Sequence, residues 1–194
     1  MLTPLDRDGG VDHSRFAAHA QRLLARGIDG VTPFGTTGEG QSFSLGERAA
    51  GLSALLAAGI PSDRIIAATG CAALTETIAL TRQGAQSGCA ACLVLPPFFF
   101  RDVSEDGLFA WYARVIEAVA HPGLRMLLYH IPQVTGVSHS VNGKSLEHAV
   151  LVVVEDCFAG NRLETVFTGN FRACEAWIAE YGMPFSEFVI DIGA

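Results

Sequence analysis

Apolar and polar positions follow two periods along the chain, one typical of amphipathic helices and the other of short buried strands. Apolar residues spaced at i, i+3, i+4 and i+7 predict helices over residues 12–26, 44–59, 74–88 and 104–120. Continuous apolar runs predict strands over residues 28–35, 63–70, 91–97 and 123–132. Helices and strands therefore alternate as a βα repeat of about 30 residues.

Polar residues mark the points where three of these helices begin. Asp12 precedes the first helix, Ser44 the second and Ser104 the fourth. Their side chains can accept hydrogen bonds from backbone N–H groups of the first turn. Glu47 follows Ser44 by three positions, which is the spacing of a capping box.

The βα rhythm weakens after about residue 138, where the pattern indicates only a strand at 151–157 and a helix at 172–182. Strands that are apolar on both faces and separated by single helices should be parallel, buried and joined by right-handed crossovers. The pattern fits either a doubly wound sheet or a TIM barrel. About six strand candidates in 194 residues fall short of the eight that a closed barrel needs.

Composition narrows the class of protein. Hydrophobic residues make up 49% of the chain and charged residues 17%, which is too apolar for a disordered chain. Apolar runs stay below the ~18 residues of a membrane-spanning helix, and no signal peptide is evident. A net charge of −7 without a basic stripe argues against a nucleic-acid partner. We expect a soluble, cytoplasmic, globular chain.

The first candidate site follows the strand predicted at 28–35, where the sequence reads Gly35-Thr36-Thr37-Gly38-Glu39. In a βα repeat, working residues lie in loops at the carboxyl ends of the strands. Two glycines permit a tight turn, and exposed N–H groups beside two hydroxyls would suit a carboxylate or phosphate. The alternative interpretation is an ordinary βα turn with polar residues.

The second candidate is Tyr129, which ends the strand predicted at 123–132. A phenol at the mouth of a strand can relay protons once neighbouring hydroxyls hold its O–H group. It can equally be a buried tyrosine whose hydroxyl is satisfied at the rim of the core. The histidines are scattered without ligand spacing, so we expect no metal site.

Cysteine and lysine usage restricts the remaining chemistry. Cys89 and Cys92 form a C-x-x-C pattern, which could indicate a redox or zinc site. Small neighbours that run into an apolar strand favour buried, space-filling thiols instead. Lys144 is the only lysine in the sequence, so it is the only side chain in this chain that could form an imine.

Several segments together resemble the dihydrodipicolinate synthase and N-acetylneuraminate lyase family over residues 2–137. They are TPLDRDGGVD, FGTTGEG, the TG after the next strand, LPPFFF and YHIPQVTG. The resemblance implies a TIM barrel, most often in homo-oligomers, that binds pyruvate or a related 2-keto acid as a Schiff base on a lysine. It implies a lyase or aldolase that forms or cleaves a carbon–carbon bond, with an aldehyde as a possible second substrate and without an external cofactor.

The same resemblance assigns roles to individual residues. The loop at Gly35, Thr36 and Thr37 would hold the carboxylate of the keto acid, and the threonines would link it to the tyrosine. Tyr129 would carry protons to and from the imine carbon and the aldol oxygen. Tyr129 and Thr37 are thus the expected catalytic residues, and Gly35, Thr36 and Thr37 the expected substrate-binding residues.

The sequence also departs from the family pattern. Glu155 or Cys157 stands where the Schiff-base lysine is expected, whereas Lys144 lies near the start of the preceding helix. Val134 replaces the arginine by which the synthase recognises its second substrate, and Phe98–Phe100 stand where the synthase tends to have tyrosines.

We therefore expect one barrel domain over residues 1–194, incomplete with about six strands and divergent or truncated over 138–194. The alternative function is a catalytically inactive keto-acid-binding or regulatory member that lacks the Schiff-base lysine. A third hypothesis assigns different chemistry to Cys157 or Glu155.

Overall fold

The computed structural model describes residues 1–100, 102–129 and 131–137, together with two short strands further along the chain. The helices are α1 (His13–Ala25), α2 (Leu45–Ala57), α3 (Leu74–Gln86), α4 (Glu105–Val119) and α5 (Pro132–Thr135). The strands are β1 (Ile66–Ala68), β2 (Ala91–Val94), β3 (Met126–Leu128), β4 (Thr165–Thr168) and β5 (Val189–Asp191). Short 3₁₀ turns span Thr36–Gly38, Gly40–Ser42 and Ser62–Arg64.

The first three strands form a parallel sheet in the order β1-β2-β3, and β4 pairs in parallel with β5. Ala67 lies opposite Cys92, and Cys92 lies opposite Met126. A single helix joins each strand of the first sheet to the next, and β2 and β3 are buried along their whole length. The expected buried, parallel βα repeat is confirmed for these units.

The strand predicted over 28–35 is reduced to one bridge at Val31. Its N–H donates to the Arg64 carbonyl at 2.9 Å, and its carbonyl accepts from the Ile66 N–H at 3.0 Å. Pairing ends there because Pro33 has no N–H group and Phe34 adopts a left-handed φ of 55°. The apolar run therefore enters the sheet at one residue and then turns into the loop that follows.

The four long helices confirm the sequence-based boundaries to within one or two residues. Asp12 accepts from the Arg15 N–H at 3.0 Å, and Ser44 with Glu47 forms the predicted capping box. Ser104 accepts from the Gly107 N–H at 3.1 Å. Local hydrogen bonds therefore define where these helices begin, as the sequence indicated.

The apolar core consists of two clusters. One packs α3 and α4 against β2 and β3, and its most enclosed side chains include Val94, Tyr112, Val115 and Met126. The other packs α1 and α2 around Phe16, Phe34 and Leu55. The Phe34 ring lies 5.2 Å from the Phe16 ring and 5.5 Å from the Phe43 ring. Phe34 thereby ties the loop after Val31 to the interior.

Some sequence-based expectations lie outside the described residues. They include the predicted strand at 151–157, the predicted helix at 172–182, and Lys144, Glu155 and Cys157. Conversely, α5, β4 and β5 were not predicted, because their apolar patterns are short. None of the helices in the described part of the chain is long and apolar enough to cross a bilayer.

Cys89 and Cys92 are buried free thiols, as the sequence favoured. Burial raises the pKa of Cys89 to about 11 and the pKa of Cys92 further. Because the thiolate is the reactive form, we expect iodoacetamide at pH 8 to alkylate both at least about 100-fold more slowly than a free cysteine. Alkylation of Cys89 should accelerate only as the pH rises toward 11.

Peptide mapping by mass spectrometry measures these alkylation rates, since it separates these two thiols from Cys71, Cys157 and Cys174. The urea-denatured chain is the control, in which both should react at the ordinary rate. Rapid alkylation of Cys89 in the folded chain at pH 8 would indicate an activated redox or metal-binding thiol instead.

Candidate active site

Tyr129 follows directly after β3, at the carboxyl end of the parallel sheet. Its backbone N–H donates to the Val94 carbonyl at 2.9 Å, so the sheet fixes its position beside the end of β2. The residue is 5% exposed. A buried phenol at this end of the strands has the position that the sequence predicted.

The Gly35–Gly40 loop forms the facing wall. The Gly35 carbonyl accepts from the Gly38 N–H at 3.0 Å and from the Gly40 N–H at 3.2 Å, which closes a tight double turn. Phe34 and Glu39 flank the turn in left-handed conformations, with φ of 55° and 53°. Such strained non-glycine residues persist only where the surrounding packing holds them in place.

Thr36 brings this loop to Tyr129. Its hydroxyl donates to the Tyr129 hydroxyl at 3.4 Å across 93 positions of sequence. The distance is longer than the usual hydroxyl–hydroxyl hydrogen bond. The two candidate segments therefore meet in one place.

A cavity of about 220 Å³ opens between these two elements. One side is apolar and is formed by Phe34, Ala68, Leu93, Leu95 and Val134. The polar side chains that line it are Thr36, Glu39, Gln41, Ser42, Arg48 and Tyr129. A mostly apolar pocket with a few convergent polar groups is typical of a small-molecule site.

Gly35 and Thr36 line the cavity, whereas Thr37 is exposed beside it and is not part of the lining. Among the described residues, the N–H groups of Thr36 and Thr37 donate to no backbone or side-chain acceptor. Unpaired N–H groups at a tight turn can hold an anion. The loop therefore offers two N–H groups and two hydroxyls within one turn.

Gln41, Ser42 and Arg48 are polar residues of the wall that the sequence did not single out. Arg48 is 3% exposed, and its guanidinium donates to the carbonyls of Ala68 at 2.8 Å and Gly70 at 3.0 Å. The side-chain amide of Gln41 donates to the same Gly70 carbonyl at 2.8 Å. The sequence signal that could have indicated Arg48 is its position in the helix, since Arg48 shares the buried face of α2 with Leu52 and Leu55.

Arg48 also donates to the Cys71 thiol at 3.1 Å. Burial lowers the pKa of the Arg48 guanidinium, but arginine stays charged at neutral pH. Burial also raises the pKa of Cys71, and the nearby guanidinium opposes that rise. The Cys71 side chain is therefore a protonated neighbour of a buried cation.

Val134 also lines the cavity, with 62% of its surface exposed. A valine cannot make the bidentate contact to a carboxylate that an arginine makes. Phe99 and Phe100 are more than 70% exposed and are not part of the cavity lining. In the described part of the chain, no cluster of three His, Cys, Asp or Glu residues could hold a metal ion.

Comparison with known proteins identifies the family of this chain. The model of the dihydrodipicolinate synthetase family matches residues 1–146. The chain belongs to the dihydrodipicolinate synthetase family. This match includes the Gly35–Gly40 loop, β1 to β3 and Tyr129.

Known proteins of the dihydrodipicolinate synthetase family are similar to this chain in sequence and in fold. An uncharacterised DapA-like lyase of Chloroflexus aurantiacus is 45% identical over 138 residues, which are 71% of this chain and 46% of that protein. The crystal structure of dihydrodipicolinate synthase from Agrobacterium tumefaciens is 41% identical with a TM-score of 0.69, covering 73% of this chain and 49% of that one.

A third similar structure is YagE, a prophage protein of this family from E. coli K12, in complex with pyruvate. It is 28% identical with a TM-score of 0.61, and the match covers 70% of this chain and 44% of that one. The chain thus spans about half the length of the relatives that it matches. The expected α/β fold of TIM-barrel type is confirmed by these likenesses.

Proposed function

We propose that this chain is a lyase or aldolase that acts on a pyruvate-like 2-keto acid in the cavity between Thr36 and Tyr129. The observation that carries the proposal is the contact of these two hydroxyls at 3.4 Å on the wall of a 220 Å³ cavity. Membership of the family and the pyruvate bound to YagE support this substrate class.

The proposed binding mode follows from the hydrogen-bonding groups of the loop. The keto-acid carboxylate accepts from the N–H groups of Thr36 and Thr37 and from the Thr37 hydroxyl, as an anion does at a tight turn. The apolar wall takes the methyl end of the molecule. The keto group then lies toward Tyr129, whose hydroxyl Thr36 contacts.

The proposed reaction proceeds through a Schiff base. A lysine amine adds to the keto carbon, the keto oxygen leaves as water, and Tyr129 supplies and recovers the proton. The imine loses a proton from the adjacent carbon to become an enamine, which attacks the aldehyde carbon while the aldehyde oxygen takes up a proton. Bond cleavage is the reverse of this step, and water then hydrolyses the imine and releases the keto acid from the lysine. Lys144, the only lysine in the sequence, is the candidate amine and lies outside the described residues.

Incubation with pyruvate and sodium borohydride, followed by intact-mass measurement, tests the function. We expect a mass increase of one reduced pyruvate, with the modified peptide containing Lys144. Pyruvate binding without an adduct would contradict the Schiff-base step and leave a keto-acid-binding chain. A folded chain that does not bind pyruvate would contradict the whole proposal.

Thr37 provides a separate check of the binding mode. Replacing Thr37 with valine removes the hydroxyl but keeps the side-chain volume, so we expect pyruvate affinity to fall about tenfold. Ligand-observed NMR titration measures this. Thr75→Val is a matched control on the exposed side of α3. Equal affinity of Thr37→Val and the unmodified chain for pyruvate would remove Thr37 from the site.

The cytoplasmic location and the homo-oligomer formation that the sequence led us to expect stay predictions.

A further inference from the structure

Arg48 is a cation in the interior that has no carboxylate partner among the described residues. Its side chain is 97% buried, and its three hydrogen bonds go to the neutral acceptors Ala68, Gly70 and Cys71. The Nε atom is buried without any hydrogen-bond partner in that part of the chain. A buried charge is costly unless an opposite charge or strong hydrogen bonds compensate it.

The surrounding acidic groups compensate this charge only weakly. Glu76 acts on Arg48 through electrostatics, but its side chain is exposed on α3. Glu39 lines the same cavity and is also exposed. Water and salt screen exposed carboxylates, whereas the field of a buried guanidinium is screened much less. Arg48 therefore carries the least screened charge on the wall of the cavity.

Arg48 lies in the wall of the cavity, so its charge acts on a molecule bound there. Arg48 is the only basic residue among the described residues that line it. The leucines Leu93 and Leu95 face the same space, and a low-dielectric wall strengthens and focuses an electrostatic field. Val134, which also lines the cavity, contributes no charge.

We propose that Arg48 is a specificity-determining residue whose charge selects an anionic ligand for this cavity. The inference rests on the proposed function, because the ligand is taken to be a 2-keto acid with its carboxylate ionised. Arg48 also holds the Gly70 carbonyl that Gln41 shares, so one side chain sets both the charge and the shape of the wall.

The test compares pyruvate with pyruvamide, a neutral analogue of nearly the same shape, by ligand-observed NMR titration of the full chain. We expect the unmodified chain to bind pyruvate about tenfold more tightly than pyruvamide. In Arg48→Met the ratio should fall to within about twofold, while Arg48→Lys should keep most of it because the charge remains.

Arg82→Met is the matched control. Arg82 is half-buried on α3, donates to the Ala118 carbonyl and does not line the cavity. Its removal changes the net charge equally, so the pyruvate-to-pyruvamide ratio should stay unchanged. Thermal denaturation midpoints of all variants report whether each one folds, independently of ligand selectivity.

Three results would overturn the inference. The first is equal affinity of the unmodified chain for pyruvate and pyruvamide. The others are an unchanged preference for pyruvate in folded Arg48→Met and the loss of that preference in folded Arg48→Lys. If Arg48→Met does not fold, Arg48→Gln, which is also neutral but keeps hydrogen-bond donors, takes its place.

Acetate, titrated in parallel, separates this inference from the proposed function. Arg48-dependent binding of acetate without binding of pyruvate would contradict the keto-acid function and uphold the role of Arg48. If all variants bind pyruvate with the same pyruvate-to-pyruvamide affinity ratio, the proposed function is upheld and Arg48 does not determine specificity. If neither acetate nor pyruvate binds, both the proposed function and the role of Arg48 are contradicted.

Discussion

Replacement of Gly40 by alanine is expected to lower the free energy of unfolding by about 3 kcal/mol and to abolish keto-acid binding. A β-carbon at Gly40 would lie 1.8 Å from the Phe34 carbonyl oxygen and 2.6 Å from its carbonyl carbon. Both are backbone atoms, so no side-chain rotation relieves the overlap. Phe34 is itself fixed by its ring contacts with Phe16 and Phe43.

The displaced backbone would be the wall of the site, because Gly40 closes the turn that holds Thr36. Urea denaturation followed by circular dichroism measures the stability, and pyruvate titration measures the binding. Gly46→Ala is the matched control, since its nearest neighbour is the Ser44 hydroxyl at 4.0 Å. In the first turn of α2, alanine should stabilise the chain slightly. An unchanged urea midpoint in Gly40→Ala would show that the loop backbone shifts without cost.

Replacement of Tyr129 by phenylalanine is expected to slow pyruvate adduct formation under borohydride by about 100-fold, the usual contribution of a positioned acid–base group. The aromatic ring stays in its buried position after β3, so stability and pyruvate affinity should change little. The rate of mass increase at saturating pyruvate measures the effect. Tyr112→Phe removes the same atom from a tyrosine that is 2% exposed in the core on α4, and it should leave the rate unchanged.

A double-mutant cycle tests whether Thr36 acts through this phenol. Thr36→Val should slow adduct formation, because the valine cannot donate to the Tyr129 hydroxyl. The double variant should be no slower than Tyr129→Phe alone, since one residue acts through the other. Strictly additive losses would show that the two hydroxyls act independently.

Local features that depend on neighbouring residues were predictable from the sequence. The caps at Asp12, Ser44 and Ser104 need only a side-chain acceptor and N–H groups up to three positions away. The strand predicted over 28–35 was too long, because periodicity does not register the left-handed turn at Phe34. That turn depends on ring packing against Phe16, a contact between residues far apart in sequence.

The candidate site likewise contains residues that the sequence located and residues that it did not. The sequence located Thr36 and Tyr129, since loops after parallel strands converge at one edge of a sheet. It did not indicate Arg48, whose place in the cavity wall depends on how α2 packs against the end of β1. A helical position specifies which face a side chain occupies, but not whether that face meets other side chains or an open cavity.

The sequence by itself determined the βα repeat, its helix boundaries and the two polar segments that carry the proposed chemistry, because periodicity and capping act over a few residues. Only the tertiary structure decided that the Thr36 and Tyr129 hydroxyls lie 3.4 Å apart and that Arg48 is buried in the wall of the same cavity without a carboxylate partner among the described residues. Distances and burial of this kind depend on packing between elements separated by many residues, and no local pattern encodes that packing.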